Sequence, residues 1–220
     1  DCDAFALLSH QKAARAWNEG YFEEQCIPVE IPLKKGKSLT FSRDECVRFD
    51  ATIEALSALR PAFKKDGVLT AGNSSPMNDG AAALVVMEKE KAETMGLEIL
   101  GKFKAYAAAG VDPRIMGTGP IAATRKLFAK TGMTIKDFDL IELNEAFASQ
   151  ALACIRELDI DEEKLNPNGG AIALGHPTSA TGAILVTKMV YEMKRRDLRT
   201  GMISFCVGGG QGVSVVLEKE

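Results

Sequence analysis

The sequence predicts an α/β layered domain preceded by a loop-rich region. From Ile99 onward, short apolar runs alternate with stretches of helical periodicity, the pattern expected of strands packed against helices. Ahead of them, prolines and a string of turn formers from Ala71 to Gly80 interrupt any regular pattern. The composition, 46% hydrophobic and 26% charged over 220 residues, is that of a globular chain holding one large or two modest domains.

Asp3 to Asn18 reads as a helix, with Phe5, Leu8, Ala13, Ala16 and Trp17 able to share a face. Cys26 to Pro32 reads as extended and edge-like, because Pro28 and Pro32 have no N–H to give to a ladder. Residues 34–45 are polar and expected to be loop. Thr52 to Leu59 reads as a short helix that ends before Pro61. The apolar run Ala81 to Met87 reads as a buried strand, followed by a charged helix from Glu88 to Met95 that stops near Gly96. A strand from Ile99 to Tyr106, a helix from Ile121 to Lys130, a strand from Asp139 to Leu143 and a helix from Ala146 to Leu158 follow. Ala180 to Lys194 reads as a helix with Ala183, Val186, Val190 and Met193 on one face. Met202 to Cys206 and Val213 to Leu217 read as closing strands, joined as a hairpin through Gly208 to Gly212.

The formal charge of −3 argues against a nucleic-acid binder held by bulk electrostatics. The clusters Lys34, Lys35, Lys37 and Lys194, Arg195, Arg196 read as solvated surface. No apolar run reaches the ~18 residues of a membrane-spanning helix, so no membrane partner is expected. Five cysteines (Cys2, Cys26, Cys46, Cys154, Cys206) with no Cys-x-x-Cys pair suggest reduced thiols in the cytoplasm. An organelle is the alternative if a targeting segment precedes Asp1, which is not a Met. Two histidines without clustered ligands offer no metal site.

Three motifs carry the chemistry. Asn144-Glu145-Ala146-Phe147 follows an apolar strand and opens a helix. In α/β folds the carboxyl ends of strands face the ligand crevice, where an Asn amide binds a ligand oxygen or a water. Asn144 is equally a residue type favoured at helix N-caps. His176 follows the glycines of Asn168 to Gly175 and precedes Pro177 and a helix start. A histidine there is a natural proton acceptor, and an ordinary loop histidine is the other reading. Cys206 ends a strand and is followed by Gly208, Gly209 and Gly210, whose N–H groups can form an oxyanion hole and favour a thiolate. A buried structural cysteine is the alternative there. Asn, His and Cys on separate loops suit carbonyl chemistry with a thiol. A papain-like hydrolase has a different residue order and different local signatures.

These motifs, together with Asp3-Ala4-Phe5-Ala6, Leu59-Arg60-Pro61-Ala62-Phe63, Leu69-Thr70-Ala71-Gly72-Asn73 and Gly117-Thr118-Gly119-Pro120, resemble thiolases of the acetyl-CoA acetyltransferase type nearly end to end. The resemblance implies a thiolase-like layered α/β fold, here the C-terminal half plus part of the loop domain. The implied division is residues 1–77 as the C-terminal part of the loop domain, 78–98 as the closing strand and helix of the N-terminal thiolase domain, and 99–220 as the C-terminal thiolase domain. It implies that His176 activates an acyl-accepting cysteine and, with Asn144 acting through a water, polarises the thioester oxygen. Cys206 is implied as the acid/base at the α-carbon, with the Gly208 backbone in a second oxyanion hole. Its thiolate is expected to be favoured by the glycine-rich loop and a nearby imidazolium. Coenzyme A contacts carry over to Arg48 at the nucleotide end and to Phe63, Ala71, Ser75, Ala146 and Phe147 along the pantetheine arm. Coenzyme A and acyl-CoA enter as substrates, with no permanently bound cofactor and no metal.

The resemblance further implies that the nucleophilic cysteine belongs to an N-terminal segment or fragment ahead of these residues, since Cys2, Cys26, Cys46 and Cys154 lie outside any such motif. Pro76 and Ser179 stand where the family usually has Gly. The implied function is interconversion of two acetyl-CoA with acetoacetyl-CoA and CoA, or thiolytic cleavage of a 3-ketoacyl-CoA, by a homo-oligomer (dimer or tetramer). The alternative is a non-catalytic scaffold that binds CoA or a partner subunit. If residues 81–95 close an absent half, apolar surface is left open and association follows.

Overall fold

The computed structural model describes residues 1–220. Helix α1 (Cys2–Asn18) leads into a hairpin of β1 (Val29–Pro32) and β2 (Ser38–Phe41), then the short helices α2 (Ile53–Ser57) and α3 (Lys89–Thr94). The layered part holds β3 (Lys102–Gly110), α4 (Gly119–Thr131), β4 (Leu140–Leu143), α5 (Ala148–Leu158), α6 (Ala171–Leu174), α7 (Thr181–Arg196), β5 (Thr200–Val207) and β6 (Gln211–Glu218). Its sheet runs β3-β6-β5-β4, with β4 and β5 parallel and the other pairs antiparallel.

Side-chain alternation explains why β4 is buried throughout. Ile141 and Leu143 join Leu127 of α4 and Ala151, Cys154 and Ile155 of α5 on one side of the sheet. Leu140 faces the other way, with Ile203 and Leu217, against Leu185, Met189, Val190 and Met193 of α7. Each fully buried side chain of this kind stabilises the layer by roughly 1.5–3 kcal/mol. Pro120 starts α4, where its missing N–H costs nothing, and left-handed Gly132 (φ 72°) ends it. No helix is long and apolar enough to cross a membrane.

The structure departs from the expectations in four places. The polar stretch 34–45 contains β2, because Ser38-Leu39-Thr40-Phe41 alternates, placing Leu39 opposite Ile31 and Phe41 opposite Val29. Strand β3 is displaced toward the C-terminus of its expected span, covering Lys102–Gly110. The run Ala81 to Met87 forms no strand and is not buried; Leu84, Val85 and Val86 are 39%, 87% and 67% exposed. A buried strand needs a neighbour for its backbone groups, and no other segment here pairs with this one. Helix α5 begins at Ala148 rather than Ala146. Its approach is held by Asn73 to Ser75: Ala148 N donates to Asn73 O (2.9 Å) and Ser75 N to Ala146 O (3.0 Å).

Candidate active site

Asn144 and Cys206 stand at the carboxyl ends of neighbouring parallel strands. Leu143 of β4 is in register with Ser204 of β5, and Asn144 N donates to Ser204 O at 2.9 Å. Phe147, not Asn144, occupies the N-cap of α5, so the Asn144 side chain is free for other work. His176 comes from the loop between α6 and α7, and its Nε2 lies 3.2 Å from Asn144 Nδ2. On the far side of the ring, Nδ1 is 2.7 Å from Thr181 Oγ1. The His176 backbone N–H donates to Asn78 Oδ1 at 2.7 Å. Gly175 makes this possible: its φ is 101°, and a Cβ there would lie 2.7 Å from the Asn78 amide.

Asn144 is 1% exposed and its Oδ1 has no hydrogen-bond partner. A buried acceptor left unpaired is costly, which marks the position as one that takes a water or a ligand donor. Burial lowers the His176 pKa, so the ring is a neutral imidazole at neutral pH and ready to accept a proton. Burial also pushes the Cys206 thiol up, with a smaller opposing effect from its own backbone amide. The expectation of a favoured thiolate is therefore corrected: the burial that raises the thiol outweighs the opposing effect of its own backbone amide. The Gly208–Gly210 turn that closes β5 onto β6 leaves Gly208 exposed, with no atom within 4 Å of a Cβ built there. By strand alternation Cys206 shares the side of the sheet that carries Cys154, whose thiol burial raises to about 11.

A second group gathers beside the first. Ser75 Oγ donates to Ala146 O at 3.0 Å, and the Phe63 ring meets Phe147 edge-on at 5.8 Å between centroids. Phe63, Ser75, Ala146 and Phe147 thus form one patch, with the Phe63 ring 70% exposed. Ala71 is exposed on the same turn-rich segment. Arg48 is tied elsewhere: its backbone N–H donates to His10 Nδ1 at 3.2 Å, and its exposed side chain makes no ion pair. Pro76 is half-buried, and Ser179 is exposed and does not cap α7, whose N-cap is Ala180.

Sequence reasoning missed three supporting residues. Asn78 reads as an ordinary Asn-Asp-Gly turn, and Thr181 as one more polar residue at a helix start. His10 is 3% exposed and carries no motif; burial and the Arg48 charge lower its pKa to about 4. Glu145 was visible within its motif, but not its partners: the buried carboxylate accepts from Ser9 Oγ, Asn166 Nδ2 and Ile172 N.

Two protein-family models match the chain: the thiolase C-terminal domain over residues 97–219 and the thiolase N-terminal domain over residues 1–90. The chain belongs to the thiolase family. The match to the N-terminal model means that the likeness is not confined to the C-terminal domain. The acetyl-CoA acetyltransferase of Chromobacterium violaceum is 49% identical over 217 residues, covering 99% of this thiolase chain and 55% of that protein. The crystal structure of the Bacillus anthracis acetyl-CoA acetyltransferase superposes with a TM-score of 0.97 at 48% identity, covering 100% of this chain and 55% of the other. Human mitochondrial 3-ketoacyl-CoA thiolase in complex with CoA gives 0.90 at 41% identity, covering 100% and 54%. The chain thus spans about half the length of the thiolases it matches.

Proposed function

We propose that this thiolase chain supplies the base, the oxyanion-binding groups and the α-carbon acid/base of an acyl-CoA acyltransferase. The reaction is interconversion of two acetyl-CoA with acetoacetyl-CoA and CoA, or thiolytic cleavage of a 3-ketoacyl-CoA. The observation that carries this reading is the 3.2 Å contact between Asn144 and a neutral His176, with Asn144 Oδ1 buried and unpaired beside the Cys206 strand end.

His176 Nε2 takes the thiol proton of an acyl-accepting cysteine. A water held by Asn144 Oδ1, together with the Nε2–H of the imidazolium so formed, then donates to the thioester oxygen. In the cleavage direction the departing enolate needs a proton, and Cys206 at rest holds one. In condensation the departing CoA thiolate takes that proton, and the sulfur, now a thiolate and a stronger base for being desolvated, removes the α-proton. The Gly208 N–H faces the developing enolate oxygen. The Phe63–Phe147 patch with Ala71, Ser75 and Ala146 takes the pantetheine arm, and Arg48 takes the nucleotide end. Coenzyme A enters as a substrate; the reading needs no permanently bound cofactor.

No hydrogen bond joins His176 to any of the five cysteines. With Cys2, Cys26, Cys46 and Cys154 outside any motif like that of the family's nucleophile, the reading draws the acyl-accepting cysteine from another segment or subunit, in a cytoplasmic homo-oligomer, and keeps the division at residues 77 and 98. The test is thiolysis of acetoacetyl-CoA by the mass-verified 220-residue chain, alone and mixed with an N-terminal thiolase segment carrying the nucleophile. Turnover only in the mixture is expected. Turnover by the chain alone overturns the separate-cysteine arrangement. CoA binding without turnover in the mixture favours a non-catalytic scaffold.

A further inference from the structure

We infer that Thr181 is a positioning residue that fixes which nitrogen of His176 carries the proton and, through the ring, which end of the Asn144 amide faces it. The catalytic consequence rests on the acyltransferase reading; the proton's location does not.

At one end of the relay stands a carbonyl oxygen, a group that cannot donate. Pro177 O lies 3.0 Å from Thr181 Oγ1 and already accepts the amide N–H groups of Ala180 (2.8 Å) and Thr181 (3.0 Å). A threonine hydroxyl has a single hydrogen and two lone pairs. Were that hydrogen directed at His176 Nδ1, 2.7 Å away, the hydroxyl and carbonyl oxygens would face each other with nothing between them. Thr181 is buried, and its Oγ1 has no hydrogen-bond partner other than His176 Nδ1 and Pro177 O. The hydrogen therefore goes to Pro177 O, and the hydroxyl accepts from Nδ1–H.

A neutral imidazole has one N–H. Burial keeps His176 neutral, so with Nδ1 protonated, Nε2 is a bare lone pair. Asn144, 3.2 Å from Nε2, must then present its Nδ2 donor to the ring. That orientation turns Oδ1 away, and Oδ1 is the atom found buried without a partner. One carbonyl thus sets the polarity of the relay Pro177–Thr181–His176–Asn144. With the hydroxyl reversed, Nε2 would carry the proton, Asn144 would turn round, and Nε2 would have no lone pair left with which to accept a proton.

The second histidine provides an internal standard. His10 Nδ1 accepts the Arg48 N–H at 3.2 Å, so its proton sits on Nε2. The two histidines of the chain are therefore opposite tautomers, distinguishable by nitrogen-15 shifts in long-range proton–nitrogen spectra of histidine-labelled full chain near pH 8.

The wild-type spectrum should show one ring protonated at Nδ1 and one at Nε2, with the Nδ1–H ring lost in His176→Gln. Thr181→Ser should keep the pattern. Thr181→Val, similar in shape but without a hydroxyl, should move His176 toward Nε2–H while His10 is unchanged. In the acyltransferase assay with the N-terminal segment supplied, Thr181→Val should lower kcat at least about tenfold with KM little changed, and Thr181→Ser should stay within about twofold of wild type. Two Nε2–H rings in the wild type overturn the inference, as does an unaltered His176 in Thr181→Val. If the valine variant loses the His10 signal, it has unfolded, and the wild-type and serine spectra decide. Absence of turnover with the tautomers as described counts against the acyltransferase reading alone.

Discussion

Lys188→Met tests how the floor of the site is held. Lys188 Nζ donates to Glu142 Oε2 and to Gly169 O, both at 2.7 Å, and the two side chains are 5% and 1% exposed. Glu142 Oε1 has no partner, so the lysine is the main compensation for this carboxylate. Breaking a buried pair from one side typically costs about 3–5 kcal/mol, and that is the loss expected at pH 7 by urea unfolding. The pH dependence gives the sharper test. Burial raises the Glu142 pKa above its usual 4.5, and the Lys188 charge is the largest influence opposing the rise. Without Lys188 the folded-state pKa climbs further. A raised carboxyl pKa means the folded state binds more protons than the unfolded state, so the variant loses stability as pH rises from about 4.5 through the folded pKa. Near pH 4.5–5 the deficit should shrink to the lost hydrogen bonds, about 1–2 kcal/mol. Glu142→Leu combined with Lys188→Met should recover to within about 1 kcal/mol of wild type, because it leaves no lone buried charge. A deficit below about 1 kcal/mol at pH 7, or one equal at both pH values, would refute this account of the pair.

Cys206→Ala, in the complete assembly, should abolish condensation yet still permit acylation of the nucleophilic cysteine, seen as a mass increment on that polypeptide; loss of both would show that Cys206 is not confined to the α-carbon step. His10, with its pKa lowered to about 4 from 6.5, contributes stability that is present above pH 6.5 and lost as pH falls through the window to about 4. At about 1.4 kcal/mol per pH unit the loss is roughly 3 kcal/mol. His10→Gln should flatten the stability curve in that window, and an unchanged slope would rule His10 out as its source. The exposed run at Leu84, Val85 and Val86 should drive association, so light scattering should give a mass above 23.6 kDa; a well-behaved monomer of that mass contradicts the expectation.

Periodicity made the layered part legible. Asp139 to Leu143 reads as a strand, and the structure sets its Leu140 toward α7 and its Ile141 and Leu143 toward α4 and α5. Periodicity fails where a segment's state depends on a neighbour. Ala81 to Met87 reads as buried because it is apolar, yet a strand exists only with a pairing partner. Asn144 had two readings from local sequence, and only the amides of Asn73 to Ser75, far away in the chain, decide against the cap by taking up the backbone ahead of α5. Cys206 shows the same limit for electrostatics. The glycines that would lower its pKa are adjacent in sequence, whereas the burial that raises it comes from strands and helices that sequence proximity does not reveal.

The resemblance read from the sequence places α1 with the loop region and the Asn144, His176 and Cys206 motifs with the C-terminal domain, and the family models divide the chain between residues 90 and 97. The hydrogen bonds cross that line. Ser9 Oγ donates to Glu145, the residue after Asn144, and accepts from Gly170 N. Lys12 and Arg15 reach the carbonyls of Leu165 and Pro167, each at 2.7 Å. Gly169, at φ 77°, lies so close to α1 that a Cβ would sit 2.7 Å from that of Ala13. One face of α1 therefore backs the loop that delivers His176 and the segment that delivers Asn144. A domain limit drawn from sequence marks where the chain changes pattern, not where the packing ends. The rigidity that a 3.2 Å Asn144–His176 contact requires comes in part from a helix more than a hundred residues away, held by the buried hydrogen bonds that Ser9 makes to Glu145 and Gly170.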